Sequence, residues 1–309
     1  MKSLPYLLAI ASSLFIFSCS SDDENSSADQ SPMTSPDQSQ VVIQQPTEAT
    51  EPGVWSIEAN QDQNLLDSIA TADIARTLLI EKVTAAGCPL CPDVTFLIDE
   101  FEEEYGEQII AVKYHSGPLA VGNFVDVDFT TPQGNEIVAD VIATRGQPRG
   151  YVSRAPRVGE TSLSDRASSW EGIITDRINE TSDLYIDAET SINGNTLDID
   201  INLISQSDIN TSDRYRINVF ITEDDIVHSQ SGATSDFIHT DMFRNAATDV
   251  FGDLIDIDID ANTEYTYTSQ VALSSEWVQE NLNVVIFITE DDDNSSVGGQ
   301  IVQALKVSL

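Results

Sequence analysis

The stretch TLLIEKVTAAGCPLCP, Thr77 to Pro92, decides how the chain is read. Its first part, Thr77 to Val83, is short, apolar and biased to β-branched residues, which suits a buried strand. Thr84-Ala85-Ala86-Gly87 turns the chain. Cys88 then opens a segment in which Val94, Leu97, Ile98, Phe101 and Tyr105 recur at helical spacing, ending at Gly106. Ile109 to His115 reads as a second strand. A CxxC set between a strand and a helix, with a strand to follow, is the context of a redox motif.

The chemistry of that context is direct. A thiolate, not a thiol, attacks a disulfide, and the free amides at a helix amino terminus stabilise negative charge. Cys88 and Cys91 are therefore the candidate catalytic pair: Cys88 attacks, and Cys91, one turn on, closes or resolves the disulfide. An inert disulfide locking the turn is the other reading. Zinc would need four ligands, and the sequence has neither a second CxxC nor paired histidines. Glu81, seven residues before Cys88, is a candidate base for the resolving thiol or, alternatively, a paired structural carboxylate. His115, at a strand end, reads as structural rather than as a proton shuttle.

Downstream, Thr131 to Glu136 starts a helix that continues through Ile137, Val138, Val141 and Ile142, and Gly146 to Val152 follows. A thioredoxin fold places a cis-proline loop here, facing its cysteines. Pro148 is the candidate, with Gln147 and Arg149 beside it as substrate-binding residues whose backbone would offer strand-like hydrogen bonds to a peptide. Arg145, Arg149, Arg154 and Arg157 place four of the chain's 14 basic residues within 13 positions. That clustering suits either a local positive field favouring a thiolate or simple pairing with neighbouring carboxylates. Leu163 to Ile178 reads as a closing helix.

The run from Leu79 to Thr84, then Cys88-Pro89-Leu90-Cys91-Pro92, Tyr114-His115 and Gln147-Pro148 through Arg154 resembles the Omp28-related outer-membrane proteins of Bacteroidota. The resemblance spans about residues 76–305, densely at first and more loosely later. It implies a thioredoxin-like domain followed by a β-rich one, in an outer-membrane setting. Ala85-Ala86-Gly87 departs from the Gly-x-Trp that usually approaches the first cysteine.

The rest of the chain supplies address and partner class. Met1-Lys2-Ser3, an apolar run from Leu4 to Phe17 and Ser18-Cys19 form a lipoprotein signal of residues 1–18, which makes Cys19 the expected lipidated residue and membrane anchor. The acidic Ser20 to Glu24 resembles the tether of outer-membrane lipoproteins, although a plain solvated linker explains it too. The Ser, Gln, Pro and Thr-rich stretch to residue 53 completes a tether, 19–53, too poor in apolar residues to fold. With 14 basic and 52 acidic residues the net charge is -38, which repels phosphate and argues against nucleic acid as a partner. The expected partner is a protein or peptide thiol or disulfide.

After Thr181 the pattern alternates: Leu184-Tyr185-Ile186, Leu197 to Leu203, Tyr215 to Ile221, Thr263 to Val271 and Asn283 to Ile288, with Ile192-Asn193-Gly194-Asn195 as a hairpin turn. Two domains follow as expectations: an α/β thioredoxin-like domain, 54–180, and an all-β immunoglobulin-like sandwich, 181–309. Alternation sends Leu197, Ile199, Ile201 and Leu203 inward, and Asp198, Asp200 and Asn202 to water. Two strands end alike, Phe220 to Asp225 and Phe287 to Asp292. These acidic ends suit either Ca²⁺ or plain solvation, and no other cofactor is expected.

Overall fold

Strand β1 is Val54–Ile57, helix α1 Gln63–Ile69, β2 Leu78–Thr84, α2 Cys91–Tyr105 and β3 Ile109–His115. A short helix α3, Pro132–Glu136, passes into a π-helical turn, Ile137–Val141, and β4 (Arg149–Val152) and α4 (Trp170–Arg177) follow. The computed structural model describes residues 52–58, 60–233, 237–291 and 298–309, all within one compact unit, Gln40–Leu309. Cys19, the signal segment and nearly all of the tether lie outside the described residues.

β2 and β3 are buried at every position. They run parallel, Leu78 opposite Ile109 and Thr84 opposite His115, and α2 is the crossover that a parallel pair requires. β4 adds antiparallel to the other edge of β2. Helix α2 begins at Cys91, three residues later than its apolar spacing suggests. A helix starting at Cys88 would need the Pro92 N–H to donate to the Cys88 carbonyl, and proline has none. Cys88-Pro89-Leu90 instead forms a turn in which the Cys91 N–H donates to the Cys88 oxygen at 3.3 Å.

The chain continues as strands: β5 Leu184–Asn193, β6 Thr196–Ser205, β7 Tyr215–Glu223, β8 Ile226–His228 and β9 Phe237–His239. Then come β10 Met242–Ala246, β11 Asp253–Leu254, β12 Glu264–Ala272, β13 Leu282–Glu290 and β14 Gln300–Ser308. β5 and β6 close around Gly194 and Asn195, with Asn193 paired to Thr196, and Gly194 takes the φ of 66° that such a turn demands. One sheet has the order β1-β12-β6-β5; the larger has the order β14-β13-β7-β10-β3-β2-β4, with β11 on β7.

Between the smaller sheet and the β7–β13 region lies a core of Leu197, Ile199, Ile201 and Leu203 against Ile217, Val219, Ile221, Val284, Ile286 and Ile288. The opposite face of the large sheet carries one continuous cluster, from Leu79 and Tyr114 through Phe220 and Phe243 to Phe287, capped by Ile137 and Val141. α2 and α4 cover β2 and β3 on the remaining side through Ile98, Phe101, Trp170 and Ile174.

The chain is thus mixed α/β with a β-rich C-terminal part. The expected free-standing sandwich over 181–309 does not form, because one of its sheets is the continuation of the β3-β2-β4 sheet. β10 joins β3 at Met242 and Lys113 while pairing with β7 on its other side. β1, expected in the first domain, pairs with β12. The physical reason is the edge of β3: its unpaired N–H and C=O groups need a partner, and β10 supplies one.

Candidate functional site

Cys88 and Cys91 are joined by a disulfide, their Cα atoms 5.4 Å apart, in the loop that leaves the carboxyl end of β2. Each is only 1% exposed, while Leu90 between them is 64% exposed. Two distant segments seal the loop. On one side the Gly87 N–H donates to the Leu119 oxygen at 3.0 Å, so close that a side chain at Gly87 would meet that oxygen at 2.5 Å. On the other, Gln230 Nε2 donates to the Ala85 and Cys88 carbonyls at 3.0 and 2.9 Å. Ser231 N–H adds a bond to the Ala86 oxygen at 2.7 Å.

The Gln147–Pro148 peptide is cis. Arg149 stands opposite Val83, so Pro148 lies at the same end of β2 from which the cysteine loop departs. Gln147 Nε2 donates to the Ser116 carbonyl at 3.2 Å. Arg149 is held by Asp165 at 2.9 Å, Arg157 by Asp176 at 3.0 Å and Arg154 by Glu81. Three of the four clustered arginines are therefore paired with carboxylates, which offsets the local positive field.

Consecutive residues of a strand point to opposite faces, and here that separates Glu81 from Lys82. Glu81 accepts from Arg154 Nε at 2.6 Å, Arg154 Nη2 at 2.8 Å and Tyr114 Oη at 3.0 Å, all sealed from solvent. Burial opposes the Arg154 charge, but Glu81 overrides it and raises the pKa. Burial, then Glu81, push Tyr114 well above the ordinary phenol value. This is the paired, structural reading of Glu81, on the face turned away from α2. Lys82, fully buried, points to α2: its Nζ donates to the Cys91 carbonyl at 3.0 Å and to Thr95 Oγ1. Burial, and after it the Lys113 ammonium, push Lys82 well below the usual lysine value.

The chain's three histidines gather nearby. His115, His239 and Phe129 pack edge-on at 5.2 to 5.3 Å between ring centroids, and His228 meets Phe129 at 5.5 Å. Burial holds His115 well below the ordinary histidine value and, with His228 second, lowers His239 to about 4. Among the described residues no group of three or more His, Cys, Asp or Glu side chains is placed to hold a metal. Three carboxylates of the acidic strand ends are engaged in ion pairs: Glu223 with Arg244 at 2.7 Å, Asp224 with Lys306 at 3.4 Å and Asp291 with Arg216 at 2.9 Å. Asp292 lies outside the described residues.

The family model of outer membrane protein Omp28 matches residues 135–308, more than half of the chain. The chain belongs to the Omp28 family. This Omp28 protein is also similar in structure to HBP35 of Porphyromonas gingivalis, with a TM-score of 0.60, 16% identity and 77% of each chain covered. At that identity the likeness concerns fold alone. A protein of Agrobacterium tumefaciens is 12% identical at a TM-score of 0.49, over 77% of this chain and 96% of its own, too distant to carry an argument. No curated protein matches the sequence.

The sequence singled out the cysteines and Pro148, which lie at one end of β2, but neither Lys82 nor Gln230. The signal for Lys82 was present: a charged pair in an apolar strand buried on both faces sends one charge to each side. Gln230 is 142 residues from Cys88 and gives no local signal.

Proposed function

We propose that this Omp28 family member is a cell-envelope thiol–disulfide oxidoreductase, held at the outer membrane by a lipid on Cys19. Its redox unit is thioredoxin-like: β2, α2, β3, β4 and α4 are the elements that support this. The observation that carries the reading is the Cys88–Cys91 disulfide at the amino end of α2, where the helix's free amides favour a thiolate. Cys88 attacks a substrate disulfide, Cys91 resolves the mixed disulfide, and the Gln147–Pro148 backbone holds the peptide. Stopped-flow reaction of the reduced protein with a disulfide substrate tests it. Wild type is expected to exchange rapidly, and a Cys88→Ser variant equal to wild type overturns the reading. Mass measurement of the mature amino terminus tests Cys19 acylation.

One observation favours a second reading, a non-enzymatic outer-membrane adhesin or scaffold that binds through its β-rich part and keeps a locked disulfide: both sulfurs are buried and Gln230 ties down the Cys88 carbonyl. Alkylation of reduced Cys88 against pH separates the two. A depressed thiol pKa supports exchange; an ordinary value near 8.5 supports the scaffold.

A further inference from the structure

Among the buried lysines and arginines of the described residues, Lys82 stands out because its hydrogen bonds go to no carboxylate. Among the described residues, Lys113 is paired with Asp241 at 3.0 Å and Asp99 at 3.6 Å, and Arg154 with Glu81, whereas the bonds of Lys82 Nζ go to the Cys91 carbonyl and Thr95 Oγ1. Thr95 Oγ1 itself donates to the Cys91 carbonyl at 3.3 Å. Two acceptors match the two N–H groups of a neutral amine and leave its lone pair free, whereas an ammonium would keep a third donor unsatisfied in a sealed site. The amino end of α2, directly above, disfavours a cation at this place.

The groups facing Lys82 pull both ways: the Lys113 ammonium opposes its charge while Asp99 and Asp241 favour it, and burial with Lys113 prevails. From β3 come Lys113 and His115, from α2 Asp99 and Cys91, from the residue before β10 Asp241, and from β9 His239. Asp241 is already shared by Lys113 and Lys306, at 3.0 and 2.7 Å. A small cavity lined by Thr84, Thr95, Lys113, His115, Gln230 and His239 borders the same threonine that Lys82 contacts. Burial and the Lys113 ammonium favour the uncharged amine in the oxidised protein.

We propose that Lys82 is the proton acceptor for Cys91 in the resolving step, a role that rests on the exchange reading above. In the mixed disulfide, Cys88 Sγ is bonded to a substrate sulfur. The Cys91 S–H proton passes to the Lys82 amine, and the Cys91 thiolate attacks Cys88 Sγ. The Cys88–Cys91 bond forms as the Cys88–substrate bond breaks, and its electron pair leaves on the substrate sulfur, which takes the proton from the Lys82 ammonium or from water. Over the full cycle the protein dithiol loses two electrons and two protons, and the substrate disulfide becomes two thiols.

The test uses the full mature chain, reduced, with an aryl disulfide whose two thiol releases are read separately by absorbance. The first release reports Cys88 attack and the second reports Cys91 resolution. Lys82→Gln keeps two N–H donors for the Cys91 carbonyl and Thr95 but cannot take a proton. It is expected to slow the second release about 100-fold at pH 7 and to move its pH midpoint up toward that of an ordinary thiol, leaving the first release unchanged. A second release with wild-type rate and pH profile overturns the role of Lys82. No first release from the wild-type protein overturns the exchange reading itself. Should Lys82→Gln fail to fold, Thr95→Val decides: a slower second release is expected, and an unchanged one counts against the proposal.

Discussion

Arg154 clasps Glu81 with two donors, Nε at 2.6 Å and Nη2 at 2.8 Å, where neither side chain reaches solvent. Taking charges out of water is costly, and only the mutual attraction and well-formed hydrogen bonds offset it. Arg154→Leu strands the carboxylate, and a loss of about 3–5 kcal/mol in urea unfolding is expected. Glu81→Gln should likewise destabilise the protein. Its surviving folded fraction should nevertheless exchange thiols with the wild-type pH profile, since Glu81 faces away from the cysteine helix. A pH profile altered by Glu81→Gln would return the carboxylate to the chemistry.

Gln230→Ala is expected to expose the disulfide. The substitution removes one bond from each of the Ala85 and Cys88 carbonyls, which keep their bonds from the Cys88 and Cys91 N–H groups, and each lost bond costs about 0.5–1.5 kcal/mol. If that cost falls on the closed loop, reduction by dithiothreitol quickens about tenfold for each 1.4 kcal/mol. Timed reduction followed by alkylation reads this directly. A rate equal to wild type would mean that Gln230 does not limit access.

Asp241 is the hub that binds β3 to β14 through Lys113 and Lys306. Burial opposes its charge, but the two ammonium groups prevail and lower its pKa below the ordinary value of 3.8. Asp241→Asn leaves two lysines around a neutral amide, so a stability loss of about 3–5 kcal/mol is expected by urea unfolding. The sign with pH follows. A depressed carboxylate stabilises the fold above the unfolded pKa, and that contribution disappears as pH falls below 3.8 through the folded value.

His239 acts in a different window. It is neutral in the fold down to about pH 4, whereas the unfolded chain takes up its proton near 6.5. Between those values the unfolded state binds more protons, so stability rises with pH and falls on acidification. The displacement corresponds to about 3 kcal/mol. His115, depressed likewise by burial, adds to the same slope. Urea midpoints from pH 7 to 4 should fall in wild type and fall less in His239→Gln. A parallel decline in both would remove the histidine from the account.

Legibility in the sequence followed the range of the signal. β2, β3, the hairpin turn at Gly194 and the end of α2 at Gly106 rest on neighbouring residues, and each lies within about one residue of where the local pattern put it. The start of α2 shifted because one missing N–H, that of Pro92, outweighs apolar spacing. β10 carries no clean strand pattern: Met242-Phe243-Arg244-Asn245-Ala246 does not alternate apolar and polar, because Arg244 is buried against Glu223 while Phe243 faces the shared core. Within the site, composition exposed the sulfurs but not the direction of the charges beside them. Which of Glu81 and Lys82 meets α2 depends on the handedness of the crossover and on partners far along the chain.

The uninterrupted run of strands from β4 to β14 has a consequence for how the molecule is made. A polypeptide stopped after residue 180 would lack β10, leaving β3 with a bare margin and Lys113 without Asp241. It would also lose the Gln230 donors that close over the cysteines. The sulfurs therefore acquire their final surroundings only once the chain has been made past Ala246, so the redox loop is not a part that matures on its own.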